Sequence, residues 1–427
     1  MENIKVKLIT YNVGDKSADQ SKPDELFNFV QLRKFDFIFI GLQEVVQDTS
    51  WTALIKKCFG EHNYVLVKVR NIWAIWLYLL AKRSRLPHVD SVESEVTASG
   101  YAGVLGNKGG VSIRFKYHEI SIIGVNGHFT PHEEGFKDRL NDYLDIVTGQ
   151  SFRDDEVNNI LDHDVIFWMG DLNFRIENLS KEEIENAIKE KSFSVLTDHD
   201  QLNKAVKHHN VFKGFKEGEL NFAPTFKFDD DCDTYDTSKK KRKPAWTDRI
   251  LYLTHDDDKI LNQNTELIKY YSEPSIRGSD HRPVCAEFKI SFNSRGSHRL
   301  PIEFIEISKV WTADKDQLVT YQCPSNSAGD KETADQPHDH GRFKPDRWDW
   351  IGLVPSNWTV LSEDTITYVY VTADCEHDLQ RQASVKFERK YFSGIPSKSE
   401  LQLIYFSKRM NCIQGISNNF SFTRTGN

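Results

Sequence analysis

The residues of this sequence able to do chemistry together are Asn12, Glu44, His128, Asp171, Asn173, Asp248, Asp280 and His281. Each stands at or near the end of an apolar run. Thr10-Tyr11-Asn12 closes the first run, Gly41-Leu42-Gln43-Glu44 the second, and Asn126-Gly127-His128 a later one. "VIFWMGDLNFR" (Val165–Arg175) drives a strand-like run into Asp171, Asn173 and Arg175. "RKPAWTDRIL" delivers Asp248, and "GSDHRPV" delivers Asp280 and His281. A single Asn or Asp after a strand is ordinarily a turn residue. Six such endings in one domain point instead to strand ends that converge on one edge. Oxygen donors without cysteine suit a hard cation, most simply Mg2+, held by one or two carboxylates with water and a substrate phosphate. A carboxylate beside it can orient a water for in-line attack. A histidine across the site can stabilise charge developing on phosphorus, and a second carboxylate can hold that histidine's tautomer.

The elements that must position these groups follow from hydrophobic period. Strands are expected at Lys5–Asn12, Phe35–Gln43, Tyr64–Arg70, Ile72–Ala81, Gly110–Tyr117, Ile120–His128, Asp164–Gly170, Arg249–Thr254 and Pro283–Ile290. Helices are expected at Pro23–Leu32, Gly135–Val147 and Lys181–Lys189. Many strands mixed with helices in one long domain imply an α/β layered sandwich with the helices outside. Composition then shifts. The segment "SFNSRGSH" reads as a linker. Beyond it strands recur without helices, at Pro301–Val310, Gln317–Gln322, Trp350–Val354, Thr365–Val371, Ala383–Phe387 and Leu401–Phe406. That spacing implies a small all-β sandwich. Ser325–Lys344 reads as a long polar loop, with His338 and His340 in solvent rather than on a metal. The expected boundaries are 1–290, a linker at 291–299, and 300–427.

Bulk properties narrow the function classes. The formal charge of -8 over 427 residues leaves no domain-wide basic excess for a nucleic-acid backbone. Six cysteines without a CxxC pair or zinc spacing fit a reducing compartment. The N-terminus lacks a secretory core and the C-terminus a prenylation box. The most apolar stretch, Ile72–Ala81, is about half the length that spans a bilayer. A cytoplasmic chain, monomeric and at most peripheral to a membrane, is the expectation.

The motifs carry a resemblance. "FWMGDLNFR" and "RKPAWTDRIL" are the two long signatures of the inositol polyphosphate 5-phosphatases, in the endonuclease/exonuclease/phosphatase superfamily. "YNVG" (11–14), "GLQE" (41–44), "GNKGG" (106–110), "TFKF" (225–228) and "SDHRPV" (279–284) match in family order across most of residues 5–290. The resemblance implies a four-layered sandwich. It implies Glu44 as principal Mg2+ ligand assisted by Asn12, with Asp280 near the metal side. It implies Asp171 as the group that orients or deprotonates water, and Asn173 and His128 as contacts to the scissile phosphate. His281 becomes the second phosphate-stabilising group, oriented by Asp248. Lys227, Lys240 and Arg242 would hold the phosphate at position 4 of the inositol ring by charge-assisted hydrogen bonds. On composition alone, "KKKRK" (Lys239–Lys243) reads as a solvated loop or a localisation signal.

"GNKGG" would cradle phosphate through Asn107 and Lys108, with Arg175 in support. Upstream, Tyr101, Val104 and Leu105 form a short apolar loop that could dip into a bilayer beside its substrate. "WDWIGLVPSNW" and the "YFS…GIS…F" ending resemble the SKICH domain, an immunoglobulin-like sandwich that implies targeting through protein contacts. The expected function is a Mg2+-dependent phosphatase removing the 5-phosphate of phosphatidylinositol 4,5-bisphosphate and 3,4,5-trisphosphate, with soluble inositol polyphosphates a further class. Its expected place is the periphery of the endoplasmic reticulum or plasma membrane. The alternatives are a nuclease or sphingomyelinase of the same superfamily, and a SKICH-based scaffold.

Overall fold

Alternation along the apolar runs decides the architecture. In the first strand, β1 (Glu2–Asn12), Ile4, Val6 and Leu8 enter one core while Ile9 and Tyr11 enter another. The chain continues with β2 (Phe37–Gln43), α1 (Ser50–Gly60), β3 (Tyr64–Ile72), β4 (Ile75–Lys82), β5 (Val89–Ala98), β6 (Gly109–Tyr117) and β7 (Ile120–His128). There follow α2 (Phe136–Gly149), β8 (Val165–Asp171), α3 (Lys181–Lys189), α4 (Phe193–Thr197) and α5 (Gln201–His208). The first domain closes with β9 (Lys216–Glu217), β10 (Asp248–Thr254), β11 (Asn264–Ser272) and β12 (Val284–Phe292). This computed structural model describes residues 2–18, 27, 32–45, 50–60, 62–99, 108–154, 157–255, 263–293, 302–322, 345–371 and 382–424.

Two six-stranded sheets stack face to face, in the orders β11-β12-β1-β2-β4-β3 and β5-β6-β7-β8-β10-β9. Val165, Phe167 and Met169 of β8 fill the space between them, while Ile166 and Trp168 point outward. Helix α1 covers the first sheet with Trp51, Ile55 and Phe59. Helices α2 and α5 cover the second with Tyr143, Ile146, Leu202 and Ala205. The result is the four-layered sandwich with outer helices. Strands buried on both faces read as continuous apolar runs, which is why the central ones were legible.

Two strands escape the periodicity. "VDSVESEVTA" (β5) and "NTELIKYYS" (β11) lie at sheet edges with one side toward solvent, so they carry charge. The run Ile72–Ala81 is not one strand. It contains the end of β3, a turn at Trp73-Ala74 and then β4, in which Leu77, Tyr78, Leu79 and Leu80 are buried. No helix among the described residues is long and apolar enough to cross a membrane. The expected helix Pro23–Leu32 and the loop Ser325–Lys344 lie outside the described residues, apart from Phe27 and Leu32.

Among the described residues the second domain is all-β apart from short turns of helix. Its elements are β13 (Glu303–Ile305), β14 (Val310–Thr312), β15 (Gln317–Gln322), β16 (Trp350–Pro355), α6 (Leu361–Asp364), β17 (Thr367–Tyr370) and β18 (Gln382–Phe387). It ends with β19 (Ser399–Ser407), β20 (Cys412–Ile416) and β21 (Phe420–Thr423). The expected strand Pro301–Val310 divides into β13 and the start of β14. These join different sheets, β13-β15-β18 and β14-β21-β19-β16-β17, with β20 beside β19. Trp311 packs centrally against Phe387, Phe392 and Phe420, its ring centroid 4.5 Å from that of Phe420.

Candidate active site

Strand register assembles the site. Strands β7 and β8 run parallel with His128 opposite Asp171, and β10 runs antiparallel to β8 with Asp248 opposite Asp171. In the facing sheet β1 and β2 run parallel with Asn12 opposite Gln43, so Glu44 follows at the same edge. Strand β12 lies antiparallel on β1, and its lead-in carries Asp280 and His281. The two sheets meet where Asn12 Nδ2 donates to Asp171 Oδ2 at 3.0 Å. Ligating atoms of Glu44, His128 and Asp171 lie within 4.8 Å of one another, as do those of Asp171, Asp248 and His281.

An internal brace sets the height of β2. Asn126 of the second sheet donates to Leu42 O at 3.1 Å and Trp76 O at 2.8 Å, and accepts from Gln43 Nε2 at 2.6 Å. Gln43 Nε2 also donates to Thr10 Oγ1 at 3.0 Å. Gly41 makes room for this, since a Cβ there would sit 2.7 Å from Asn126 Cγ. Glu44 leaves β2 with φ 55°, turned out of the strand direction toward the edge.

Charge is arranged around Asp171. Burial alone would raise its carboxyl, but the hydrogen bond and charge of His128, with the charges of His281 and Lys108, hold it well below the usual carboxylate range. His128 Nε2 lies 3.3 Å from Asp171 Oδ2 and 3.7 Å from Glu44 Oε1. Lys108 Nζ approaches His128 Nε2 at 2.5 Å, and burial lowers the lysine's own pKa. His281 is fully enclosed, and burial works against its charged form. The carboxylates of Asp248, Asp171 and Asp280 outweigh burial and push it up to about 10. Asp248 in turn accepts from Thr225 Oγ1 at 2.7 Å and Thr247 Oγ1 at 3.0 Å.

The cationic rim is less uniform than the sequence implies. Arg175 Nη2 donates to Asn173 Oδ1 at 2.5 Å, while Asn173 Nδ2 donates to Phe129 O at 3.0 Å. Burial and the like charge of Arg242 depress the Arg175 pKa against the pull of Asp171, so the two guanidiniums share one electrostatic pocket. Lys227 forms an ion pair with Asp280. Lys240 is exposed, its backbone N donating to Ser238 Oγ at 3.2 Å. Lys243 is drawn to Glu133 at 2.9 Å. Asn107, Tyr101, Val104 and Leu105 lie outside the described residues.

Sequence reasoning passed over several groups found here. Phe226, inside "TFKF", sets its ring 4.6 Å from the His281 ring, tilted by 41°, and 4.6 Å beneath the Arg175 guanidinium. Thr225 and Thr247 hold Asp248, and Ser279 Oγ donates to Asn12 O at 2.8 Å. Asp15 follows "YNVG", a motif that could have drawn it in. Its carboxyl is raised by burial and then by the negative charges of Glu44 and Asp280. That excess of negative charge on oxygen donors, with no thiol among them, fits a hard divalent cation. Glu44 and the Asn12 carboxamide would hold it, with Asp280 alongside.

Known proteins resemble this chain over both domains. Residues 9–287 match the model of endonuclease/exonuclease/phosphatase family 2, and residues 338–422 match the SKICH domain. Inositol polyphosphate 5-phosphatase K of Mus musculus is 30% identical, with 98% of this chain and 89% of that protein aligned. The chain belongs to the inositol polyphosphate 5-phosphatase family. Phosphatidylinositol 4,5-bisphosphate 5-phosphatase A of Mus musculus is 34% identical over 82% of this chain, and the match spans only 35% of that longer protein. Among solved structures, the 5-phosphatase domain of SPsynaptojanin, determined with inositol (1,4)-bisphosphate and calcium ion, shares 33% identity. It covers 68% of this chain and 86% of its own, with a TM-score of 0.60. A Cimex nitrophorin at 22% identity and a TM-score of 0.56 shares the fold alone. A shared fold does not by itself specify chemistry; the residues grafted on it do.

Proposed function

We propose that this chain is a 5-phosphatase acting on phosphatidylinositol 4,5-bisphosphate and phosphatidylinositol 3,4,5-trisphosphate, with soluble inositol polyphosphates as a further class and Mg2+ as its cation. The observation that carries the reading is the Asp171 carboxylate, which Asn12 bonds at 3.0 Å and His128 meets at 3.3 Å, with His281 Nε2 4.0 Å away. Asp171 accepts a hydrogen bond from the attacking water and aims it along the line of the scissile bond. His281, charged and anchored through Nδ1 on Asp248, presents Nε2–H to a phosphoryl oxygen as charge builds there. Lys108, Arg175 and Asn173 border the same phosphate. Glu44 and Asn12 would hold a divalent cation, which would supply further neutralisation of the phosphate charge. Lys227, Lys240 and Arg242 select substrates that carry the 4-phosphate.

The family relatives named for 5-phosphatase activity on inositol phosphates support this substrate class. The compact cationic cluster favours it over a nuclease, which needs an extended basic groove. The proposed setting is the cytoplasmic periphery of the endoplasmic reticulum or plasma membrane. There a monomer meets the lipid headgroup and engages protein partners through the SKICH domain.

The test is inorganic phosphate release from a panel of inositol lipids and soluble inositol phosphates differing in phosphate position, with Mg2+ and with chelator. The reading requires release confined to 5-phosphorylated substrates, greatest with a 4-phosphate, and abolished by chelator. Activity undiminished by chelator, or diester cleavage in place of phosphate release, would overturn it.

A further inference from the structure

On one flank of the catalytic sandwich both sheets come to an edge, β3 in the first and β5 in the second. Such a flank exposes unpaired backbone groups and the rim of the core between the sheets. The C-terminal domain meets both edges. Leu66 N of β3 donates to Thr359 O at 2.9 Å. On the other sheet, Ser91 N of β5 donates to Met410 O at 3.3 Å, and Asn411 Nδ2 donates to Val92 O at 3.2 Å.

Between these two clips the cores merge. Val354, Trp358, Ile404 and Ile413 of the second domain belong to the same buried cluster as the side chains between the catalytic sheets, each 6% exposed or less. Arg83, in the turn after β4, donates to the carbonyls of Ser356 and Trp358 and lies 5.1 Å from the Trp358 ring centroid. At the rim, Lys56 and Glu363 pair at 2.6 Å. Gly60, the last residue of α1, approaches so closely that a Cβ there would sit 2.1 Å from Thr359 Cγ2. Contacts between independent domains are ordinarily more polar and do not share a core.

We propose that the SKICH domain is the closing wall of this enzyme's catalytic sandwich, so that the two domains fold and unfold as one cooperative unit. Strand β3 pairs with β4, and β4 with β2, which ends at the residue before Glu44. The seam is thereby continuous with the strands that position the site. Whatever the SKICH domain binds, it holds the active site at a fixed angle to it.

The experiment uses the full chain and two variants outside the catalytic machinery, Trp358→Ala and Arg83→Gln. Denaturant unfolding followed by probes in each domain, and amide hydrogen exchange at Leu66 and Ser91, are the readouts. The wild type should unfold in a single transition. The variants should exchange at both amides faster by about tenfold or more, as expected when a local opening becomes cheaper. Two independent transitions in the wild type would overturn the proposal. So would unchanged exchange at Leu66 and Ser91 in Arg83→Gln, the milder variant, which decides the matter where Trp358→Ala does not fold.

Discussion

His281 Nδ1 lies 2.9 Å from Asp248 Oδ2 and 3.1 Å from Oδ1, leaving Nε2 to face Asp171. The contact fixes the ring and keeps it charged. Asp248→Asn preserves the shape but removes the charge that sustains the imidazolium. We expect kcat to fall by about 10²–10⁴-fold, the usual worth of a positioned acid–base group, with KM changed much less. Steady-state phosphate release at saturating substrate checks this, and a KM effect larger than the kcat effect would contradict it.

Glu44 lies at the edge proposed to hold the cation, with Asp15 and Asp280 adding negative charge beside it. Glu44→Gln keeps the side chain's volume and removes one charged donor. The Mg2+ concentration giving half-maximal activity should rise by at least about tenfold, as for loss of groups that support a metal. A Mg2+ titration of the activity reads this directly; an unchanged midpoint would remove Glu44 from the metal site.

Lys227 pairs with Asp280, and the proposed function gives it the 4-phosphate. A hydrogen bond between charged groups contributes about 1.5–3 kcal/mol, so Lys227→Ala should lower kcat/KM for 4-phosphorylated substrates by roughly 10- to 150-fold. Substrates without that phosphate should lose far less. Equal loss on both classes would place Lys227 elsewhere in the mechanism.

Gly41→Ala would push a methyl into Asn126, which sits 2.7 Å from that position and braces both β2 and β4. Overpacking a filled core costs about 1–3 kcal/mol. Denaturant unfolding should show that loss, and activity should fall with it because the same strand positions Glu44.

His163 is buried away from the site, with Nδ1–H shared between Asn159 O at 3.0 Å and Ile160 O at 3.1 Å. Its Nε2 finds no partner among the described residues. Burial, aided by the nearby Arg114 charge, lowers its pKa from 6.5 to about 4. The unfolded chain therefore binds a proton that the folded chain refuses between those values. Stability should be unaffected above pH 6.5 and fall as pH drops toward 4, by about 3 kcal/mol from this group. Comparing the pH dependence of unfolding with that of His163→Asn checks it; parallel curves would exclude this histidine as the cause.

The sequence by itself determined the central strands that carry the candidate site and the polar groups at their tips. Central strands are buried on both faces, so they stand out as apolar runs, and a polar group where such a run stops is visible without coordinates. Asp171, where β8 stops, was legible for that reason; Asp248, which opens β10, and His281, which precedes β12, were legible in "RKPAWTDRIL" and "GSDHRPV". Edge strands β5 and β11 were not, because charged residues fill their solvent side and each carries a register shift that breaks the alternation. Only the tertiary structure decided which tips touch. The Asn12–Asp171 bond joins residues from opposite sheets, and its geometry depends on a brace through Gln43 and Asn126 that has no local signature. Phe226 likewise gains its place from contact with His281 and Arg175, residues far from it in the chain. The docking of Trp358 and Arg83 belongs to the same class. A tryptophan that fills its own domain's core and one that fills its neighbour's look alike in sequence, because burial depends on what the rest of the chain brings against it.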